Sequence, residues 1–192
     1  MQSLSGRVRV GLALALALTL SSGAGARVLV SQADALAETF GDAELDRQRL
    51  LLSEEEHARL GERAGSELSS RLIVYYEAKR DGQVVGRAYF DDHVVRTMPE
   101  VVMIALEDDG AVRRVETLAF HEPRQYEAPR RWLAQYDGKS PSSKMKLGRD
   151  IAALGGATLT ARAIDRAIRR SQAIDQLVRT RAVEAVETST NR

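Results

Sequence analysis

The part of this chain whose residues could do chemistry runs from Asp150 to Ile164 and reads DIAALGGATLTARAI. Gly155 and Gly156 let the backbone turn tightly and approach a ligand closely. Thr158 and Thr160 follow at the start of a predicted helix, and either could be its N-cap. The first N–H groups of a helix are unpaired and suit a phosphate. A glycine turn with a threonine cap explains the same residues without a ligand, and local physics alone favours that simpler interpretation.

This segment resembles the attachment motif of the FMN-binding domain family, which includes the C subunit of the sodium-pumping NADH:quinone oxidoreductase and the G subunit of the Rnf complex. Gly155-Gly156-Ala157-Thr158-Leu159-Thr160, followed by Ala163-Ile164, is similar to the family pattern Asp-x-x-(Ser/Thr)-Gly-Ala-Thr with a further hydroxyl residue. Two positions depart from it. Gly155 stands in place of Ser or Thr, and Ala152 in place of the Asp.

The resemblance implies FMN as the cofactor. It implies that a flavin transferase using FAD esterifies the FMN phosphate to Thr158. The residues around the attachment point would then be Gly155, Gly156, Ala157, Leu159 and Thr160. The implied role is electron transfer with a membrane-associated redox partner, so the chain is expected to be a carrier and a substrate of the transferase, without catalytic side chains of its own.

Two aromatic residues are further candidates for the cofactor site. Trp132 and Tyr136 lie four residues apart in WLAQYDGK and share a face if that stretch is helical. A flavin ring is flat and apolar, so it could lie against them. A single tryptophan in a small domain is more often part of the core, and that interpretation is favoured. Glu122, in His121-Glu122-Pro123, is assigned no role.

Upstream elements indicate an α+β fold. Ser53-Glu54-Glu55-Glu56 has the pattern of a capping box, which predicts a helix from about Glu54 to Ala64. Four strands are predicted from runs rich in β-branched and aromatic residues and from Asp-Gly turns between them: 71–79, 83–90, 100–107 and 111–120. The prediction is a small antiparallel sheet with an N-terminal helix and a C-terminal amphipathic helix packed on it.

The C-terminal helix is predicted to start near Thr158, with apolar residues at three- and four-residue spacing. Four arginines lie off that stripe: Arg162, Arg166, Arg169 and Arg170. A solvated face is the favoured explanation for them, ahead of an anion-binding role.

Composition excludes several classes of function. The chain has 28 Lys+Arg and 27 Asp+Glu, for a formal charge of +1, so no basic excess suggests a nucleic-acid partner. There is no cysteine, which excludes disulfides and thiolate chemistry. The three histidines lie far apart in the sequence, at His57, His93 and His121, and no metal is expected.

The N-terminus reads as a secretory signal. Arg7 and Arg9 precede an apolar stretch from Val10 to Leu20, and Ala24-Gly25-Ala26 is a cleavage site. Eleven helical residues span only ~16 Å, too short for a bilayer core of ~30 Å. The expected organisation is a signal peptide at 1–26, an N-terminal arm at 27–52, an FMN-binding domain at 53–187 and a frayed tail at 188–192, with a soluble mature protein in the periplasm. The alternative is an exported, non-redox binding module of the same fold that lacks covalent flavin.

Overall fold

The computed structural model describes residues 27–190, with side chains from 29 to 188. The predicted signal peptide therefore lies outside the described residues. The elements in chain order are β1 (Arg27–Val28), α1 (Gln32–Phe40), β2 (Glu44–Leu51), α2 (Glu54–Ala64), β3 (Leu72–Arg80), β4 (Gln83–Val94), β5 (Pro99–Glu107), β6 (Val112–Phe120), α3 (Arg130–Leu133) and α4 (Thr158–Thr190). Two short 3-10 helices, Arg124–Tyr126 and Ala134–Tyr136, flank α3.

One antiparallel sheet organises the fold, with strand order β1-β6-β5-β4-β3-β2. The four predicted strands are present, as is the predicted helix at 54–64 with its capping box at Ser53 and Glu56. At the β3–β4 hairpin, Asp81 and Gly82 both have positive φ, at 51° and 76°. That is the geometry a tight hairpin turn requires. The predicted α+β class is confirmed.

Residues 27–52 are predicted as an N-terminal arm. In the structure they form β1 and β2 of this sheet and α1, which covers one of its faces. β2 pairs with β3 from Glu44↔Lys79 to Leu51↔Leu72. Its alternation of charged and apolar residues is weak, and this is why the sequence alone does not indicate a strand there. At the other end of the chain, α4 continues through Thr190, into the segment predicted as a frayed tail.

Helices cover both faces of the sheet. α1 packs on one face, where Leu36 and Phe40 meet small residues of the strands such as Ala78 and Ala88. α2 and α4 cover the other face, over the larger core that includes Ile104, Leu106, Ile164 and Ile168. The long α4 thus lies across the middle strands, and its first residue is placed at the end of that core.

Candidate functional site

The double glycine forms a tight turn immediately before α4. Ala157 N–H donates to the Leu154 carbonyl at 3.1 Å, which closes the turn. Gly156 has φ of 76°, a conformation that favours glycine, whereas Gly155 does not have positive φ. A Cβ placed on either glycine would meet no atom within 4 Å. The turn is therefore open on its outer side.

Among the described residues, no side chain caps the first turn of α4. The helix begins at Thr158, and the Ala157 carbonyl accepts the first helical hydrogen bond, from Ala161 N–H at 3.1 Å. Ala157 therefore occupies the N-cap position, so the prediction that Thr158 or Thr160 caps the helix was wrong. No acidic residue lies in this turn. The N–H groups of residues 158–160 have no intrahelical acceptor, and they leave the positive end of the helix open to an anion.

The two threonines of the motif have different surroundings. Thr158 is exposed. Thr160 is only 1% exposed, and its hydroxyl donates to the Tyr126 carbonyl at 2.7 Å. Thr158 therefore has the accessible hydroxyl, and Thr160 ties the start of α4 to the segment that follows the sheet.

A cavity of about 270 Å³ opens beside Thr158. Its walls are Gly156, Ala157, Thr158, Leu159 and Thr160, together with Arg96 and Tyr126. The Arg96 guanidinium lies over the Tyr126 ring, 5.0 Å from its centroid. Sequence reasoning missed both residues, because they lie far from the motif along the chain and no local pattern marks them. Arg96 places a cation across the cavity from an unpaired helix N-terminus.

Glu122, to which the sequence analysis gave no role, holds the loop that carries Arg96. Its Oε1 accepts from the backbone N–H of Thr97 at 2.8 Å and of Met98 at 3.1 Å. These two bonds lower the pKa of the Glu122 carboxyl. Val95 N–H also donates to the Met98 carbonyl at 3.1 Å, which closes a tight turn with Arg96 inside it.

Trp132 and Tyr136 lie in the core, and neither lines the cavity at Thr158. Their rings make a T-shaped contact with centroids 5.7 Å apart. Burial raises the pKa of the Tyr136 hydroxyl well above its usual value. Trp132 Nε1 donates to the Ala152 carbonyl at 2.8 Å, and Ala152 N–H donates to Gln135 at 2.7 Å. These bonds fix the backbone that leads into the glycine turn, and they use none of the Ala152 side chain.

The four arginines that lie off the apolar stripe near the start of α4 divide into two pairs. Arg169 bonds to Asp165 and to the Met145 carbonyl, and Arg170 forms two short bonds to Asp91. The solvated-face interpretation is therefore wrong for Arg170, whose side chain is 12% exposed. Arg162 and Arg166 are exposed, as the solvated-face interpretation predicts.

Two other kinds of site are absent from the described part of the chain. Between residues 27 and 190, no three His, Asp or Glu side chains are grouped so as to hold a metal ion. Over the same span, no helix combines the length and the apolar character that crossing a membrane requires.

Comparison with known proteins gives one family. Residues 98–173 match the model of the FMN-binding domain. No match was found among curated proteins. The matched segment runs from the end of the Arg96 loop into the first half of α4, and it contains the glycine turn and Thr158.

The residues at the start of α4 fit the phosphate end of FMN. They provide unpaired N–H groups, a glycine turn without side chains, an exposed hydroxyl at Thr158 and the nearby cation of Arg96. Residues 98–173 thus match the FMN-binding domain family, and this match indicates FMN as the cofactor.

Proposed function

We propose that the protein is an exported electron carrier in which FMN is attached through its phosphate to Thr158. The observation that carries the proposal is the exposed Thr158 hydroxyl, at an uncapped helix start inside the family-matched segment. Thr160 cannot serve as the attachment residue without losing its buried hydrogen bond to the Tyr126 carbonyl. The burial of Thr160 therefore supports Thr158 as the attachment point.

Attachment requires a flavin transferase that uses FAD. Thr158 Oγ1 forms a bond to the FMN phosphorus, the pyrophosphate bond of FAD breaks, AMP leaves and the hydroxyl proton is lost. Unpaired N–H groups and Arg96 stabilise negative charge at the phosphate. When bound, FMN supplies reversible redox chemistry, and the protein supplies binding and electrostatics. Glu122 contributes indirectly, because it fixes the loop from which Arg96 extends.

Substitution of the two threonines tests the attachment. Coexpression with a flavin transferase should add one FMN to the wild-type chain, which intact mass and acid-stable yellow colour detect. Thr158→Val should abolish attachment without loss of stability, because Thr158 is exposed. Thr160→Ser keeps the buried hydroxyl and should retain attachment.

Three results would contradict the proposal. FMN that stays bound covalently in Thr158→Val, or that is lost in Thr160→Ser alone, would mean that the acceptor is misassigned. A wild-type chain that never gains flavin beside an active transferase would favour the non-redox binding module.

Export is proposed from the sequence alone, since the signal lies outside the described residues. Cleavage after Ala26 would leave Arg27 as the first residue of the mature chain, at the start of β1. Intact mass of the protein recovered from the periplasm measures this directly. A membrane-bound form that retains residues 1–26 would contradict a soluble carrier.

A further inference from the structure

Two unpaired arginines lie on the face of α4 that begins with Thr158. Arg162 and Arg166 are exposed, and neither side chain makes an ion pair or a hydrogen bond to another described residue. Arg169 and Arg170, on the following turn, are both paired with carboxylates. The two arginines nearest Thr158 therefore have no carboxylate beside them, whereas the next two along the helix do.

Helical spacing places these charges in line with the proposed flavin site. Thr158, Arg162 and Arg166 are separated by four residues each, so their side chains lie on one side of the helix. At 1.5 Å per residue the arginines are about 6 Å and 12 Å along the axis from Thr158. Arg96 and Leu159, which is 45% exposed, line the cavity beside Thr158. We call Arg162 and Arg166, together with the cavity residues Arg96 and Leu159, the α4 basic face.

Helix energetics do not explain the α4 basic face. Acidic residues are favoured near a helix N-terminus, and the first turns of α1 and α2 contain them, at Asp34 and at Glu54 to Glu56. α4 has none there and carries Arg162 in its second turn. Arg162 and Arg166 are like charges four residues apart on one helix, and such a pair is unfavourable. An external anion would remove that repulsion.

We propose that the α4 basic face docks an acidic surface of the protein that exchanges electrons with the flavin. This rests on the proposed function, because a redox partner of the flavin must bring its own cofactor close to Thr158. One partner is oxidised as the flavin is reduced, and the reverse when the flavin passes the electron on. Arginine suits such a contact, since its guanidinium binds carboxylates in a bidentate manner and it is enriched in protein interfaces.

Binding of an acidic polypeptide tests the surface without flavin. The probe is poly-L-glutamate, titrated at low ionic strength against the unloaded chain. Arg162→Glu/Arg166→Glu should weaken binding at least tenfold. The matched control is Arg47→Glu/Arg49→Glu, which makes the same charge change at two exposed positions of the edge strand β2. The control should change binding by less than twofold. Equal loss in both variants would overturn the proposal, because it would reflect overall charge.

Electron transfer tests the same surface on the FMN-loaded protein. The donor probe is a small acidic iron–sulfur protein, reduced beforehand, and stopped-flow absorbance follows flavin reduction. The wild-type rate should fall steeply with ionic strength, and Arg162→Glu/Arg166→Glu should lower the low-salt rate about tenfold at unchanged flavin content. A rate that is insensitive to salt and to this substitution would overturn the proposal.

Membrane docking would be a different outcome. If Arg162→Glu/Arg166→Glu abolishes binding to phosphatidylglycerol vesicles and leaves poly-L-glutamate binding unchanged, the face binds lipid and the proposal is wrong. Failure of the proposed function gives another result: no flavin is attached, and the poly-L-glutamate titration still reports on the face.

Discussion

At the scale of single residues, the two glycines of the motif have different backbone conformations. Gly156 has φ of 76°, and Gly155 has an ordinary conformation with open space where a Cβ would lie. The family pattern has Ser or Thr at the position of Gly155, and this structure has room for that side chain. The departure at Gly155 therefore requires no change in the turn.

Substitution of each glycine by serine tests this difference. Gly155→Ser should leave stability within ~0.5 kcal/mol and should raise or maintain the yield of attached FMN. Gly156→Ser forces a side chain into positive φ and should cost ~1–2 kcal/mol, with a lower yield. Urea unfolding and intact mass after coexpression give the two quantities. Equal effects of the two substitutions would contradict the difference in backbone conformation between Gly155 and Gly156.

His93 is the centre of a buried charged cluster outside the flavin site. Its Nδ1 lies 2.9 Å from Asp91 and its Nε2 lies 3.0 Å from Glu100. Burial by itself would lower the pKa of His93, but the two carboxylates outweigh it and raise the pKa to about 9. Burial raises the pKa of Glu100, which His93 partly opposes. The cluster thus holds a proton on His93 at neutral pH.

The free energy of unfolding should depend on pH through this group. Because the folded-state pKa lies above the unfolded value of 6.5, the stabilisation is complete below pH 6.5 and is lost as pH rises through about 9. The expected loss between pH 7 and 9.5 is on the order of 2–3 kcal/mol for this shift. Urea titrations at pH 7 and 9.5 measure it, and His93→Gln should flatten the difference. Parallel profiles for wild type and His93→Gln would contradict the assignment.

At the scale of elements, β4 and α1 meet at a position where only glycine fits. A Cβ on Gly86 would lie 2.5 Å from the Leu106 carbonyl oxygen and 2.9 Å from the Phe40 ring. The first contact is with the backbone of β5, which cannot move without breaking the sheet. Close packing of α1 on this face therefore depends on the missing side chain.

Gly86→Ala should destabilise the protein by ~1–3 kcal/mol, because the added methyl overlaps backbone atoms. Gly61→Ala is the matched control, since Gly61 lies inside α2 and its nearest contact would be an ordinary 3.6 Å to Ser66. That control should stabilise by ~0.5–1 kcal/mol through helix propensity. Thermal unfolding of both variants measures the contrast, and two changes of the same sign would argue against this packing.

At the scale of the whole molecule, Trp132 links the core to the segment that precedes the flavin site. Its ring packs on Tyr136, and its indole N–H holds the Ala152 carbonyl. A tryptophan beside a flavin would instead need to reach the cavity at Thr158, whose walls do not include it. We therefore expect Trp132 to contribute to stability and to leave the flavin spectrum unaffected.

Trp132→Ala should cost ~3–5 kcal/mol of unfolding free energy, because a large buried side chain is removed. In the FMN-loaded protein that still folds, the visible absorption of the flavin should be unchanged. Trp132→Phe keeps most of the ring and should lose less stability. A shifted flavin spectrum in Trp132→Phe would place the indole beside the cofactor, contrary to this expectation.

Local sequence patterns alone predicted several helices and strands of this protein and its cofactor motif. The capping box at Ser53, the Asp81-Gly82 turn and the β-branched and aromatic residues of β3 to β6 predicted those elements, because each signal depends on neighbours in the chain. The motif around Thr158 likewise predicted the family and its cofactor, since the turn and the helix start are contiguous.

Tertiary structure decided what depends on residues distant in the chain. Only packing shows that Thr160 is buried against Tyr126, that Arg96 reaches the cavity at Thr158, and that Trp132 belongs to the core. β2 also needed its partner β3, because an edge strand with a weak apolar pattern is stabilised by pairing. Whether a charge is paired, as in Arg170, or free, as in Arg166, is set by which carboxylates the fold brings near it.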